Sequence, residues 1–568
     1  MDISFDPLLK KLNGKEQVAY FNNSPDTLKE IYVHLYPNIY KRGVARDFGI
    51  NPKDEGEGVK IEQISYNGKS IDATKGNVFY VGTLLIIKLD TPVLPNSKAE
   101  FTFNWNYTIC STNGIRTGSI DSTTFLIAYF FPHIAVYDDI DGWNNFQYTG
   151  QVEFYNDFSN YDVSVSVPRS YTVHASGVLQ NPAEVLNEKY LKRYNKALNS
   201  EEVVSIIDSN DIAINDITPD KEILTWKFKA ENITDFAFGL SNHYLWDGSS
   251  LLVDKSTGRR VFIDAVYNKS SKDFYKVAKT AREEINYMSA VFPGWPFPFP
   301  KETVFNGAGG MEYPMMVNDS SEPDSDMVGL TSHEISHSYF PFYMGTNESK
   351  YAWMDEGWAA YIDYLSTDAL YNIQIIKNAR VKQYKNDIGN EVDVPITVLS
   401  KQLKHPAYRY NAYIKAAYFY DMLRNVLGED KFHKFLSGYM LHWNGKHPVP
   451  QDFFNLLNST AGENLDWLIN PWFYNFGYFD LSVKEVKHTG NGYKITVAKN
   501  GTYPGQFKLE LLYSDGTKEV INESASVWKN GNSVFTLKKT AAKKIIKVRL
   551  FDNIWLDADS SNDEYTVK

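Results

Sequence analysis

The sequence predicts an α+β multidomain protein, with a large N-terminal antiparallel β domain, a mainly helical middle domain and a small C-terminal β-sandwich. Three observations carry this. At 568 residues the chain exceeds what a single hydrophobic core supports. Apolar residues alternate in short runs at both ends but step by three or four in between. Aromatic residues make up 15% of the chain, a share suited to packing on pleated surfaces.

The N-terminal domain is expected over residues 1–245. "KEQVAYFNN", "LLIIKLD", "AEFTFNWNY", "DVSVSVP" and "ILTWKFKA" all alternate and are separated by Asn-Gly, Pro and Asp. One insert, Pro182 to Ser200, reads as helix. The middle domain is expected over 246–475. In "SKDFYKVAKTAREEINYMSAVF", Phe274, Val277, Ala281, Ile285, Met288 and Phe292 lie on one helical face, and "PGWPFPFP" ends the run. "DEGWAAYIDYL" and "NAYIKAAYFYDMLRNVLG" are further helices. Strands return after "NPWFYNFGYFD", with turns every eight to twelve residues over 476–568, as in an Ig-like sandwich.

Fifty-eight basic against 69 acidic side chains leave a net charge of −11, so no general attraction to nucleic acid is expected. Cys110 is the single cysteine, which excludes an intrachain disulfide. No apolar run reaches 18 residues, so no spanning helix is expected. "DISFDPLLKKL" follows Met1 without a signal peptide. A periplasmic or secreted location is therefore expected only if a targeting segment has been trimmed, and a cytoplasmic one otherwise. A monomer is expected.

The chemistry concentrates in "TSHEISHSYF", Thr331 to Phe340. Residues four apart on a helix share a face, so His333 and His337 can present two imidazoles to one ion, with Glu334 beside them. The competing reading is a solvent-facing polar stripe. A catalytic zinc takes three protein ligands and keeps a fourth position open. "WMDEGWAAY" offers Glu356 as the third, with eighteen residues between it and His337. Asp363, two turns further along the same helix face, can accept a hydrogen bond from an imidazole N–H or be an ordinary surface acid.

HExxH, eighteen residues, then Glu is the ligand pattern of the gluzincins. With it, the chain resembles peptidase family M1, the zinc aminopeptidases. "GAGGMEYP", Gly307 to Pro314, resembles that family's G-x-M-E-N exopeptidase motif, and "AYIKAAYFYDMLRNVLGEDKF" resembles its Y-x-K-G-A segment. The resemblance implies a thermolysin-like catalytic domain and one Zn²⁺ held by His333, His337 and Glu356. It also implies Glu334 as general base and Tyr413 as donor to the carbonyl oxygen in the transition state. Glu312 would pair with the free α-ammonium of a peptide, and Gly309 and Gly310, ahead of Met311, would let a substrate strand lie close. The implied partners are peptides with a free N-terminus.

Several positions depart from the family pattern. Tyr313 replaces Asn, Ser338-Tyr339-Phe340-Pro341-Phe342 replaces Gln-Trp-Phe-Gly-Asn, Asp355 stands where Asn is common, and Ala416 replaces Gly. These suggest a divergent bacterial branch. The second amine anchor of the family has no Gln or Glu at the matching place near Thr123. The long helical fourth domain has no counterpart in the roughly 93 residues after 475, so a more open site is expected. A thermolysin-like endopeptidase and a catalytically silent peptide-binding scaffold are the alternatives. The acidic run "LDADSSNDE" resembles a calcium loop only in its oxygens and reads better as a solvated turn.

Overall fold

Lys11–Asn22 and Ser97–Thr108 alternate buried and exposed side chains and pair antiparallel over twelve residues, Lys11 opposite Thr108 and Asn22 opposite Ser97. They form the centre of an eight-stranded sheet, which Asp2–Asp6, Ser159–Pro168 and Ile223–Ile233 extend on one side. The computed structural model describes residues 1–112 and 116–568. They divide into two units, Met1–Asn347 with Gly445–His447, and Glu348–Asn444 with Pro448–Lys568.

Within the first unit, two four-stranded sheets accompany the large one. A six-stranded sheet follows, in the order Val204–Ile207, Leu245–Asp254, Arg259–Tyr267, Lys301–Asn306, Met316–Asp319, Met311–Tyr313. Its inner strands run parallel, from Arg259–Tyr267 through Lys301–Asn306 to Met316–Asp319. Met311–Tyr313 is the antiparallel edge strand, with Glu312 opposite Val317. The sheet draws strands from both sides of residue 245. The Pro182–Ser200 insert is helical at Pro182–Val185 and Glu188–Ala197.

The amphipathic Phe274–Ala290 helix buries Phe274, Val277, Ala281, Ile285 and Met288, the face predicted from spacing. It packs beside the Asp324–Ser336 helix, where the Ser332 hydroxyl donates to Glu284 over 3.1 Å. The Thr331 hydroxyl donates to Asp319 over 2.8 Å. These two bonds fix the rotation of the helix that carries His333.

Burial pushes the Asp319 carboxyl up to about 7, against a partial lowering by the Thr331 hydroxyl. A raised folded-state pKa means that this stabilising contribution is present below pH 4 and lost as pH rises through about 7. Thermal melts at pH 5 and pH 8 are expected to differ less in Asp319→Asn than in the parent, because the amide still accepts from Thr331 but does not titrate.

In the second unit the Glu356–Tyr371 helix crosses the Ala416–Leu427 helix at close range, since a Cβ at Gly357 would lie 2.5 Å from that of Ala416. Trp358 stacks on Tyr420 at 3.7 Å, and Trp353, Phe453 and Phe473 continue this aromatic core. Residues 481–566 form a three-stranded and a four-stranded sheet. The acidic run at their end closes turns: Asp557 accepts from the backbone of Leu481 and Asp559, and Asp559 accepts from Ser561. No helix among the described residues is long and apolar enough to cross a membrane.

Candidate metal centre and amine subsite

His333 and Glu334 lie in the last turn of the Asp324–Ser336 helix, and His337 caps it. The two imidazole rings stand 5.0 Å apart and nearly perpendicular, as i and i+4 residues on one face do. After His337 the chain enters an irregular turn, Ser338–Tyr343, kinked at Phe340, whose backbone is extended. It places the Phe340 carbonyl oxygen 3.2 Å from His337 Nδ1, so the tautomer donating there presents Nε2 as a ligand atom. The residues that replace the family's Gln-Trp-Phe-Gly-Asn thus make a built element. Tyr339 seats it through a 2.9 Å bond to the Trp295 carbonyl.

Ala308 and Gly309 form the bend before the Met311–Tyr313 edge strand, and Gly310 joins it to the strand. A Cβ at Gly310 would come within 2.5 Å of Glu334 Oε1 and 2.6 Å of Leu330 Cδ1. The Glu334 carboxylate and the Leu330 side chain thus occupy the space that a side chain at 310 would take. Met311 and Glu312 follow at once, both buried. The Tyr313 ring, where the family has Asn, packs 5.7 Å from that of Tyr129.

Beside Glu312 stands a carboxylate that no sequence motif marks. One oxygen of Glu153 lies within 4.8 Å of one of Glu312. Arg116 holds Glu153 through bonds of 2.7 and 2.6 Å. Burial pushes the Tyr148 phenol up to about 12, with Arg116 opposing the rise and Glu153 and Glu312 adding to it, so the three charges share one neighbourhood. Glu153 sits in "GQVEFYND", with no flanking signature that could have marked it.

In the second unit Glu356 opens the Glu356–Tyr371 helix. The Tyr413 hydroxyl, on the π-helical Tyr410–Lys415 turn, donates to the Glu356 carboxylate. Burial first, and the Glu356 charge second, hold the Tyr413 phenol well above its usual range. The Arg380 guanidinium lies 4.8 Å from the centre of the Tyr413 ring and hydrogen-bonds the Tyr364 hydroxyl at 3.3 Å. Asp363 is buried on the same helix as Glu356 and acts electrostatically on Arg380. Arg380, in the Ile375–Asp387 helix, was not singled out from sequence.

His333, His337 and Glu356 each offer one ligand atom and are buried. Two imidazoles and one carboxylate are a donor set that fits zinc.

Residues 311–472 match the model of the peptidase family M1 domain. Aminopeptidase M1 of Arabidopsis thaliana is 26% identical over 163 residues, which is 27% of this chain and 18% of that protein. Leucine aminopeptidase 2 of Emericella nidulans is 25% identical over 206 residues, 31% of this chain and 32% of that protein. The chain thus spans a third or less of these curated relatives. The M1 zinc metallopeptidase of Deinococcus radiodurans superposes with a TM-score of 0.55 at 12% identity, covering 84% of this chain and 92% of that one. Legionella pneumophila aminopeptidase A in complex with aspartic acid gives 0.62 at 13% identity, covering 98% and 57%. The fold is therefore that of the multidomain metallopeptidases. In sequence, residues 311–472 of the chain are similar to the peptidase family M1 domain.

Proposed function

We propose that this chain is a zinc-dependent aminopeptidase that releases N-terminal residues from peptides. The observation that carries the reading is the contact of its two motifs inside one unit: the Gly310 backbone, two residues before Glu312, lies against the Glu334 carboxylate. An acid suited to pairing with an α-ammonium is thereby tied to an acid suited to moving a proton.

His333, His337 and Glu356 would hold the metal. When bound, zinc supplies polarisation of the scissile carbonyl and acidification of the attacking water. Glu334 takes the proton of that water and delivers it to the leaving amine. The Tyr413 hydroxyl donates to the carbonyl oxygen as charge builds there, leaving its bond to Glu356. Glu312 receives the substrate's α-ammonium, and Glu153 supplies the second anchor missing near Thr123. Two carboxylates and the Arg116 guanidinium leave one net negative charge, the complement of one ammonium. A peptide blocked at its N-terminus would leave these buried acids unanswered, and that cost selects free termini. Asp363 and Arg380 position the Tyr413 side of the site.

The test compares hydrolysis of free and N-acetylated aminoacyl-coumarin amides with and without a zinc chelator. Release from the free amine alone, abolished by the chelator and restored by Zn²⁺, is expected. Cleavage of both substrates would instead assign a thermolysin-like endopeptidase, in which Glu312 does not read the amine. No release from either would leave a peptide-binding scaffold.

A further inference from the structure

A cavity in the β-rich part of the first unit lies apart from the proposed metal ligands and the proton-moving Glu334. It is a cavity of about 540 Å³, within the range that holds a small organic ligand. Its walls are aromatic, formed by Tyr36, Phe48, Tyr107, Tyr148 and Phe154. Tyr36 meets Tyr148 at 5.7 Å and Phe154 at 4.8 Å edge-on, and Tyr148 stacks on Phe154 at 4.6 Å. Such walls favour a flat ring over a branched aliphatic chain. Lys11 and Lys60 line the mouth and are exposed on the outer face of the eight-stranded sheet. Arg116 and Tyr129 line the cavity too, and through Glu153 and Tyr313 they adjoin the strand of Glu312.

The polar groups of this cavity are unevenly answered. Its buried carboxylate, Asp54, accepts from Ser111 and Thr112, and Arg116 engages Glu153. Two donors remain without a hydrogen-bond partner among the described residues, the Tyr107 hydroxyl and Arg116 Nε. Tyr107 is only 7% exposed, so an unanswered hydroxyl there costs stability. Lys11 at the mouth adds a positive charge, while Glu57 at the rim is solvated. What is lacking is an acceptor carried on a planar apolar body. We infer that this cavity is a second ligand site, and that it takes a small planar aromatic carboxylate.

Cys110, the chain's single cysteine, lines the same cavity, buried with its thiol donating to the Thr117 carbonyl over 2.6 Å, so its slow alkylation is the second readout. Titration of the full chain with 2-naphthoate, followed by calorimetry, is expected to show one saturable site. Tyr107→Phe is expected to weaken it at least fivefold, and Phe48→Ala, at the exposed rim, by a similar factor. Alkylation of Cys110 by N-ethylmaleimide, read by intact mass, should slow at least tenfold under saturating 2-naphthoate. Naphthalen-2-ylmethylammonium and cyclohexanecarboxylate should protect neither at the same concentration. Absence of binding heat would overturn the inference, as would binding that leaves Cys110 alkylation unchanged. Equal protection by the ammonium compound would overturn the ligand class. These readouts do not use peptide turnover, so they stand or fall separately from the proposed peptidase activity.

Discussion

Glu334→Gln is expected to lower kcat on free aminoacyl-coumarin amides by about 10²- to 10⁴-fold while leaving the zinc content unchanged. The amide has the size and planarity of the carboxylate, so it fits the space that Gly310 leaves open. It keeps the shape of the site and loses only the ability to take a proton at Oε1 or Oε2. Because Glu334 is not a ligand in the proposed set, metal analysis of the purified variant separates loss of the base from loss of the ion. Undiminished turnover in this variant would remove Glu334 from the mechanism and leave another group to move the proton.

Tyr413→Phe is expected to cost about 10²- to 10³-fold in kcat, with KM changed by less than about threefold. The ring remains seated under Arg380, whose guanidinium lies 4.8 Å from its centre, so the substitution removes the hydroxyl and little else. The uneven effect on kcat and KM is the diagnostic part. A donor that acts only as charge builds on the carbonyl oxygen contributes little to ground-state binding. A larger effect on KM than on kcat would instead assign Tyr413 to substrate binding. The hydroxyl also donates to Glu356, so the variant's zinc content must be checked beside its rate.

The outline of the fold was legible because most elements carry a period. Alternation marked Lys11–Asn22 and Ser97–Thr108, and steps of three and four marked Phe274–Ala290. Lys301–Asn306 and Met316–Asp319 escaped because every residue in both is buried. A strand covered on both faces has no alternation to read. The spacing of His333 and His337 predicted their shared face without any tertiary information. Glu153 and Arg380 were not readable in that way, because each reaches its neighbours through the fold and carries no sequence signature. The glycine at 310 was visible, but what fills the space beside it was not, since the nearest atom belongs to Glu334, more than twenty residues on.

The short stretch from Gly309 to Glu312 is, on the proposed reading, a ruler. Glu312 defines where a peptide begins, and Glu334 stands where its backbone is opened. Only Met311 separates the gauge from Gly310, beside which the Glu334 carboxylate lies. Met311–Tyr313 is pinned to Met316–Asp319 at one end of this span, and the Asp324–Ser336 helix is pinned through Thr331 and Ser332 at the other. A scale so short and so firmly clamped has one graduation. The length of the released fragment is then a dimension of the backbone, set before any side-chain pocket distinguishes one amino acid from another.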